Sequence, residues 1–566
     1  MAAAAPAAPP ESLSFNRRHA PSIPLPPRQH WRRLAVASLL SYSVLTGIVT
    51  YQSLQLNDGH LVYTLDDPYI HFAMARTWLD SGTIGISPGH FAPASSSPIW
   101  TFLLTVLFYV LGPREWLPYA LNVASCLLLL TLFWWGSAGV GTGARPGSPR
   151  PVHRWWYLAA IALPVLAHLP GLTLSGLEHP LHAAVTIAFT VALFRVLQRD
   201  ERPWRTGLYL LAFLLPLVRL EGAFAVGIGV LLLLTHRRLL TALIVASVGA
   251  GPNLIMGLYL RRANGTFFSN SIMAKAVPQT DLAGWANYLW HQLVVNLNLD
   301  PSLRAVVLVA LIWLYFGWRA RRRSAIEEAA YFLGAVALHV LFSSVGWFDR
   351  YQAYLVTLGL FFFTRQTWRR SLPNPVRLIR QQPALGAGLS CLLMLGFGYN
   401  KVSDLLATPL AANNIYEQQY QMGRFVAEYY PRGAIVANDV GEIAYRAGGT
   451  VTDLAGLGSS EVLRLIRADG GRHGLTSAEI EPILARNGAD VIVIYPGWFS
   501  PELYSRWYRV ATWTIGKKQV TPAYTSVVFF AHDREQYPVL LSRLKDFQSQ
   551  LPNDIVVAYS SPPATP

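Results

Sequence analysis

Cysteine is nearly absent from this chain of 566 residues, which contains only Cys126 and Cys391. Both lie inside apolar runs and far apart, so the sequence supports neither a disulfide framework nor a cysteine metal site. Charged residues are also scarce, at 14% of the chain. The C-terminal third lacks glycine-rich phosphate loops of the GxGxxG or GK[ST] type, which leaves a nucleotide site without support.

Apolar residues are abundant instead. Hydrophobic residues make up 52% of the chain, and the mean hydropathy is +0.31. This composition is typical of a polytopic α-helical membrane protein. Including one short run at 98–111 that we interpret as re-entrant or interfacial, the pattern predicts about 11 to 13 transmembrane helices. The longer runs cover residues 34–54, 117–140, 155–172, 180–196, 207–220, 222–235, 239–260, 303–318, 329–345, 351–363 and 385–399.

The formal charge of +15 is distributed unevenly along the chain. Arginines cluster in alternate loops, which is the positive-inside pattern of a membrane protein rather than the signature of a nucleic-acid-binding protein. The pattern predicts a cytoplasmic N-terminus. It also predicts that the opposite, outer face carries the loop with Asp66 and Asp67, Glu178, Arg219 to Glu221, residues 261–275, and Asp349 with Arg350.

Hydropathy and composition divide the chain into three parts. Residues 1–33, rich in Ala and Pro, predict a disordered cytoplasmic tail. Residues 34–400 predict a transmembrane domain with a large first external loop at 55–97. Residues 401–566 predict an external, periplasmic α/β domain, with strands at 434–437, 451–454, 491–495 and 526–531, a turn or helix at 441–445 and a helix at 477–487. Such alternation favours a small open sheet with parallel pairs.

Two adjacent carboxylates, Asp66 and Asp67, stand out in the first external loop. Pro68 favours a helix over residues 68–76 lying along the membrane surface, with Asp67 as its N-cap, so Asp67 has a structural interpretation beside a catalytic one. Asp66 is not needed for that cap. Partial desolvation at the membrane boundary would raise its pKa toward the range of a general base that deprotonates an acceptor hydroxyl.

A departing lipid phosphate requires cations, and the outer face offers Arg76, Arg219, Lys275 and Arg350. Arg219 lies between two apolar helices, where an arginine needs a ligand or a partner, such as Glu221, or reaches the headgroups. Lys275 either binds a phosphate oxygen or anchors lipid headgroups.

Further candidates complete the predicted site. Glu178 begins an apolar helix, where the helix dipole favours an acid; as a catalytic candidate it would be a second carboxylate facing the same cavity as Asp66. Asp439 follows a predicted strand, where ligands often bind in parallel sheets. The external loops contain no DxD or HExxH pattern, so no metal site is predicted and a divalent cation is left open. The candidate sugar or acceptor contacts are Tyr69, His90, His179, Glu221 and Asp439.

Several motifs occur in an order that resembles one family. The segment LDDPY at 65–69, with Arg76 and SSPIW at 96–100, resembles the first-loop signature of the GT-C superfamily of membrane glycosyltransferases. The later motifs resemble terminal cell-wall arabinofuranosyltransferases and, more distantly, aminoarabinose and mannosyl transferases. They are SGLE at 175–178, VRLEG at 218–222, NSIMAK at 270–275, DRY at 349–351, NDVGEIAY at 438–445 and TDLAGL at 452–457.

The resemblance implies a GT-C fold with a soluble C-terminal domain in the bacterial inner membrane. It also implies inverting transfer of arabinofuranose or another pentose or hexose from a polyprenyl-phosphate donor to a cell-envelope glycan or lipid, with Asp66 as the base. Three alternatives remain at this stage. They are a lipid A-type glycolipid transferase, a transporter or flippase for a polyprenyl-linked lipid, and an inactive scaffold.

Overall fold

A computed structural model describes residues 29–139, 154–275, 281–346, 348–368, 394–468 and 474–561. Most of the predicted N-terminal tail lies outside this range, as do Cys391 and most of the predicted run at 385–399. The first helix begins at Gln29, inside the predicted tail. Residues 29–33 are therefore helical rather than disordered.

Helices dominate the described residues up to position 368. Each of the ten predicted long runs before residue 368 falls on helical structure, as expected for segments with about 20 apolar residues. The helices are α1 (Gln29–Leu56), α2 (Asp67–Ser81), α3 (Pro98–Leu111), α4 (Leu117–Gly139), α5 (Arg154–Leu166), α6 (Leu169–Leu174), α7 (His179–Arg199), α8 (Arg202–Val218), α9 (Gly222–Thr235), α10 (Leu239–Asn264), α11 (Asn270–Met273), α12 (Leu282–Leu299), α13 (Pro301–Arg319), α14 (Arg323–Phe342) and α15 (Ala353–Trp368).

Seven segments among the described residues are long and apolar enough to cross a membrane. They are α1, α4, α5 with α6, α7, α10, α13 and α14, while α3 and α9 are apolar but shorter. The polytopic helical architecture is therefore confirmed, and the count of 11 to 13 spans stays a prediction. Helix α12 was not predicted, although it carries exposed apolar side chains such as Trp285 and Trp290.

The helix bundle is built around α7, which packs against α4, α8 and α15. Most residues of α7 are buried on every side, as expected for a helix that is apolar all round. Other helices surround it and turn part of their surface outward. Examples are α10, with Ile255 exposed, and α1, with Leu40 exposed.

Helix α2 follows the predicted position but differs in two respects. It begins at Asp67, and Asp66 occupies the N-cap position without a side-chain bond to α2, so the prediction of Asp67 as N-cap is wrong. The helix is also buried over the whole stretch Pro68–Ala75 instead of lying along a surface. The reason is that α3 packs on one side of it and the C-terminal helix Gly441–Arg446 on another.

The C-terminal part contains a six-stranded mixed sheet. Its order is β2-β1-β3-β5-β4-β6, with β2, β1 and β3 parallel and the other neighbours antiparallel. The four predicted strands and the presence of parallel pairs are confirmed, whereas β4 and β6 were missed. The strands are β1 (Ile435–Ala437), β2 (Val451–Asp453), β3 (Val491–Ile494), β4 (Tyr508–Thr514), β5 (Ser526–Ala531) and β6 (Val556–Tyr559).

Helices lead into this sheet and cover it. Residues Met394–Tyr399 and Tyr416–Tyr420 are π-helical turns beside the first two of these helices. The predicted helix at 477–487 is confirmed with the same bounds. The helices are Asn400–Ile415, Gln421–Tyr429, Gly441–Arg446, Ser460–Ala468, Ser477–Asn487, Pro501–Tyr504 and Gln536–Phe547, with single 3-10 turns at Pro496–Trp498 and Gln548–Gln550.

The sheet directs one edge toward the loop at 55–97. Because β1, β2 and β3 are parallel, their carboxyl ends lie at the same edge. Asp439 follows β1, Asp453 ends β2 and Tyr495 follows β3. Helix Gly441–Arg446 then packs directly on α2, so this edge meets the loop that carries Asp66 and Asp67.

Candidate active site

Three adjoining cavities lie where the helix bundle meets the C-terminal sheet. We call them the apolar groove, of about 620 Å³, the basic pocket, of about 200 Å³, and the acidic cavity, of about 320 Å³. The groove and the basic pocket share Ser96, Leu220 and Ile272 in their walls. The basic pocket and the acidic cavity share Lys275 and Tyr351. The three cavities therefore adjoin one another in the order apolar groove, basic pocket, acidic cavity.

The apolar groove is formed by the N-terminal part of α3, the end of α8 and the middle of α10. Its walls are mostly apolar, with Trp78, Phe102 and Phe267 among the larger side chains. Gly257 allows Phe267 to pack closely, since a Cβ there would lie 2.4 Å from the phenyl ring. The groove can therefore hold a long hydrocarbon chain with one end at the basic pocket.

The basic pocket contains Arg219, which follows α8 in extended backbone conformation. Its Nη1 donates to Glu178 Oε1 at 2.5 Å, and its Nη2 and Nε donate to the two oxygens of Glu221 at 2.8 and 3.1 Å. Ser343 Oγ also donates to Glu221, at 2.9 Å. Arg219 is only 5% exposed. Its positive charge is thus already balanced by two carboxylates.

A second group of cations surrounds Tyr351. Lys275 Nζ and Arg350 Nη2 both donate to the Tyr351 hydroxyl, at 3.1 and 2.9 Å. The charged ends of Lys275, Arg350 and Arg219 lie 5.2, 4.7 and 5.5 Å from the centre of the Tyr351 ring. Among the described residues, Lys275 pairs with no carboxylate, and its side chain is exposed. This lysine is therefore available to an anion.

The loop that carries Arg350 is fixed by contacts of the preceding residue, Asp349. Asp349 adopts a φ of 61°, in the left-handed region that non-glycine residues rarely occupy. Its carboxylate pairs with Lys401 and accepts from Gln352 Nε2 at 3.1 Å. These contacts fix the backbone that directs Arg350 and Tyr351 into the cavities.

Asp67 is the more accessible of the two first-loop carboxylates. Its Oδ2 pairs with Arg350 Nη1, and its side chain is 41% exposed in the wall of the acidic cavity. Burial acts to raise the pKa of Asp67, but the charges of Arg350 and Lys275 outweigh it and lower the pKa. Asp67 is therefore ionised at neutral pH.

Asp66 binds the C-terminal domain. Its Oδ2 accepts from Gly441 N at 2.5 Å and its Oδ1 from Glu442 N at 2.9 Å, so it caps helix Gly441–Arg446 from outside that helix. Only glycine fits at position 441, because a Cβ there would lie 2.1 Å from the Asp66 carbonyl oxygen. Asp66 is only 7% exposed.

Asp66 also adjoins Asp439. Burial and the neighbouring Asp439 carboxyl raise the pKa of Asp66 well above its ordinary value, against the opposing effect of the two backbone N–H groups. Burial likewise raises the pKa of Asp439, which accepts from Gln419 Nε2 at 2.6 Å and from the Tyr495 hydroxyl at 3.1 Å. Two buried carboxyls in contact disfavour the doubly ionised form of the pair.

Arg76 lies at the other end of helix Gly441–Arg446. Its guanidinium donates to the carbonyl oxygens of Tyr445 and Ala447, which are left without helical partners at that end. Asp66 and Arg76 therefore cap the two ends of one helix. Arg76 was predicted to bind phosphate, but it does not line any of the three cavities.

The remaining predicted site residues lie at different distances from the three cavities. Glu178 pairs with Arg219 and does not share the acidic cavity with Asp66, contrary to expectation. The His179 ring lies 5.9 Å from the Tyr351 ring. Tyr69 is fully buried and accepts from Tyr63 N, away from the cavities.

His90 is exposed in a hairpin of the first loop, bridged to Ser87, and lines none of the three cavities. Three residues that sequence reasoning did not select lie in the acidic cavity: Tyr351, Asn438 and Gln419. Tyr351 and Asn438 belong to motifs that the sequence had singled out, which was a usable signal. Nothing in the sequence points to Gln419.

The carboxylates present were also tested for their fit to a metal ion. The described residues contain no group of three or more His, Cys, Asp or Glu side chains that could hold one. Asp66 is occupied by backbone N–H groups and Asp67 by Arg350. These residues do not fit a divalent cation site.

Part of this chain matches a known family model, and most of the chain is similar to solved structures. A family model described as a domain of unknown function, DUF8728, matches residues 413–536, which include Asn438, Asp439 and helix Gly441–Arg446. No curated protein matches the chain.

Solved structures match over most of the chain at low identity. The crystal structure of ArnT from Cupriavidus metallidurans in the apo state has a TM-score of 0.51 and 12% identity, over 88% of this chain and 98% of that one. The same protein bound to undecaprenyl phosphate gives 0.48 and 13%, with the same coverage. The Archaeoglobus fulgidus oligosaccharyltransferase in the apo form gives 0.41 and 11%, over 90% and 78%. The chain has the GT-C fold that was predicted.

Proposed function

We propose that this protein is a glycosyltransferase that uses a polyprenyl-phosphate sugar as donor. One observation carries the proposal: an apolar groove, a lysine that pairs with no carboxylate among the described residues, and an ionised carboxylate lie in adjoining cavities in that order. A lipid-linked sugar has the same order of parts, since a hydrocarbon tail is followed by a phosphate and then by a sugar.

The lipid tail is assigned to the apolar groove and the phosphate to Lys275. The groove accepts an apolar chain without desolvating polar groups, and its junction with the basic pocket lies at Ser96 and Ile272. Lys275 and the hydroxyl of Tyr351 would then donate to phosphate oxygens, with Arg350 nearby to offset the negative charge. A charge-assisted contact of this kind contributes about 1.5–3 kcal/mol.

The base is assigned to Asp67, which departs from the expectation that favoured Asp66. Three properties support this choice. Asp67 is ionised at neutral pH and can therefore accept a proton, its side chain is exposed in the cavity, and no described residue donates a hydrogen bond to its Oδ1. Asp66 instead accepts hydrogen bonds from backbone N–H groups at both oxygens, and burial and the adjoining Asp439 carboxyl raise its pKa.

The reaction is an inverting displacement. An acceptor hydroxyl oxygen attacks the anomeric carbon, and the bond from that carbon to the phosphate oxygen breaks. The hydroxyl proton passes to Asp67 Oδ1. The phosphate leaves with the bonding electron pair, and the positive charge of Lys275 stabilises the developing negative charge.

The remaining assignments follow the sequence prediction. We assign the donor sugar to arabinofuranose or another pentose or hexose, and the acceptor to a cell-envelope glycan or lipid. The protein would lie in a bacterial inner membrane with its N-terminus in the cytoplasm and residues 401–566 outside. All three cavities then face the outer side, where the Asp349–Tyr351 loop and Lys275 were expected.

The test is transfer of radiolabelled sugar from a panel of polyprenyl-phosphate donors by purified protein in nanodiscs. Transfer by the wild type and its loss in folded Asp67→Asn, by roughly 100-fold or more, is the expected result. Transfer from no donor in the panel would contradict the proposal and favour a lipid transporter. Full activity in Asp67→Asn, with loss only in Asp66→Asn, would return the base to Asp66.

A further inference from the structure

The acidic cavity has a second wall, built by the C-terminal domain, that the proposed reaction does not use. This wall contains Asn438 after β1, Gln419 from the π-helical turn, and Trp498 after β3. Asn438 and Gln419 are 4% and 1% exposed. Each has one buried polar atom with no hydrogen-bond partner among the described residues.

The unpartnered atoms are of opposite type. Asn438 Oδ1 accepts from Tyr495 N at 2.9 Å, which leaves its Nδ2 donor free. Gln419 Nε2 donates to Gln418, Asp439 and Tyr495, which leaves its Oε1 acceptor free. Turning either amide would forfeit these bonds, so the orientations are fixed by the network.

A free donor and a free acceptor in one wall favour a ligand that offers both. A sugar hydroxyl donates one hydrogen bond and accepts others, so neighbouring hydroxyls satisfy both amides. An ammonium ion would leave Asn438 Nδ2 unpartnered, since it has no acceptor. A phosphate would face the carboxyl groups of Asp66 and Asp439 on this side. Trp498 adds an aromatic face in the same wall, which suits the C–H face of a sugar ring.

A series of side-chain contacts places the wall with Asn438 and Gln419, here called the amide wall, on the side of Asp67 away from the proposed phosphate site at Lys275 and Tyr351. Tyr351 contacts Arg350, and Arg350 pairs with Asp67. On the other side, Asp66 adjoins Asp439, which contacts Gln419. Asp67 is therefore located between the phosphate end and the amide wall. In an inverting displacement the acceptor approaches opposite the leaving group, so its hydroxyl meets the base from the amide wall.

We propose that Asn438, Gln419 and Trp498 form a subsite of the C-terminal domain that binds the terminal sugar of a carbohydrate acceptor. This inference rests on the proposed glycosyl transfer. It names the acceptor as a saccharide and assigns its recognition to the domain outside the helix bundle.

The test uses the full-length protein in nanodiscs and saturation-transfer NMR with methyl arabinofuranoside and methyl mannopyranoside as probes. The variant Asn438→Ser removes Nδ2 but keeps an oxygen near Tyr495 N. A matched control is Asn414→Ser. Asn414 is also fully buried, accepts from Val520 N at 2.8 Å and has a free Nδ2, but it does not line the acidic cavity.

We expect the wild type and Asn414→Ser to bind a probe equally and Asn438→Ser to bind it roughly 3- to 10-fold more weakly, as for one lost hydrogen bond. Equal binding by Asn438→Ser and the wild type, or equal weakening in both variants, would overturn the subsite. In turnover, Asn438→Ser should raise the acceptor KM and leave slow hydrolysis of the donor unchanged.

Hydrolysis reduced as much as transfer would overturn the assignment to the acceptor. Probe binding by the wild type without transfer from any donor would contradict the proposed reaction and support the saccharide subsite. The two proposals can therefore fail separately.

Discussion

Two cationic regions adjoin Tyr351, and they differ in how their charges are paired. Arg219 is buried and fully engaged by Glu178 and Glu221. Lys275 is exposed, contacts only the Tyr351 ring and hydroxyl among the described residues, and borders two cavities. A cation that is already neutralised has little to offer a ligand, whereas an unpaired one does.

From this difference we infer that Arg219 has a structural role and that Lys275 binds the ligand. A phosphate beside Arg219 would be placed next to two carboxylates and would have to displace one of them. At Lys275 the phosphate would instead meet an uncompensated charge, with Arg350 close by. Sequence alone ranked Arg219 first because it lies between apolar helices. The structure accounts for that position by the Glu178 and Glu221 pairs.

The largest effect on stability is expected from substitution of Arg219. Arg219→Gln leaves Glu178 and Glu221 buried without a counter-charge, which costs about 3–5 kcal/mol. Thermal unfolding in detergent should show the loss. The control is Arg262→Gln, at an exposed position. A stable Arg219→Gln protein that has lost only lipid binding would instead make Arg219 the phosphate ligand.

The next effect is expected at Lys275. Lys275→Gln should fold normally and raise the donor KM by roughly 10- to 100-fold, since it removes one charge-assisted hydrogen bond. Steady-state kinetics with varied donor would measure it, with the exposed Arg261→Gln as control. An unchanged donor KM would show that Lys275 does not bind the donor phosphate, and the two cationic regions would then not differ in this respect.

A smaller effect is expected where the first loop meets the C-terminal domain. Gly441→Ala places a Cβ 2.1 Å from the Asp66 carbonyl oxygen, so helix Gly441–Arg446 must shift, at a cost of about 1–3 kcal/mol. Hydrogen exchange in that helix should accelerate. Gly251→Ala is the control, because no atom lies within 4 Å of a Cβ at that position. Unchanged exchange would show that Asp66 does not fix this helix.

The smallest effect concerns pH and separates Asp66 from Asp67. Asp67 has a pKa lowered from 3.8, so it remains ionised as pH falls from neutral toward that value. Activity through Asp67 should change by about twofold or less between pH 7 and pH 5. Asp66 has a raised pKa, so activity through Asp66 would decline at a higher pH than activity through Asp67. A pH–rate profile of the wild type would distinguish them.

The sequence predicted the local features well. Apolar runs of about 20 residues located the helices, and short runs of β-branched residues located β1, β2, β3 and β5. It missed β4 and β6, which lie in the antiparallel half of the sheet. It also missed α12, whose apolar residues are interrupted by Asn287, His291 and Asn296.

Partners remote in sequence could not be predicted. Asp66 and Arg76 contact residues more than 360 positions away, and their bonds to helix Gly441–Arg446 involve backbone groups that carry no sequence signal. The distinction between Asp66 and Asp67 depends on the same contacts. Asp66 and Asp67 are adjacent in sequence but lie in different environments, and this difference is visible only in the folded structure.

The most direct measurement is a titration of polyprenyl phosphate, followed by phosphorus NMR, into the wild type, Lys275→Gln and Arg219→Lys in nanodiscs. Arg219→Lys retains a positive charge between Glu178 and Glu221. We expect the wild type and Arg219→Lys to bind the phosphate, and Lys275→Gln to bind it more weakly by roughly tenfold or more. Binding retained by Lys275→Gln and lost in folded Arg219→Lys would contradict this expectation.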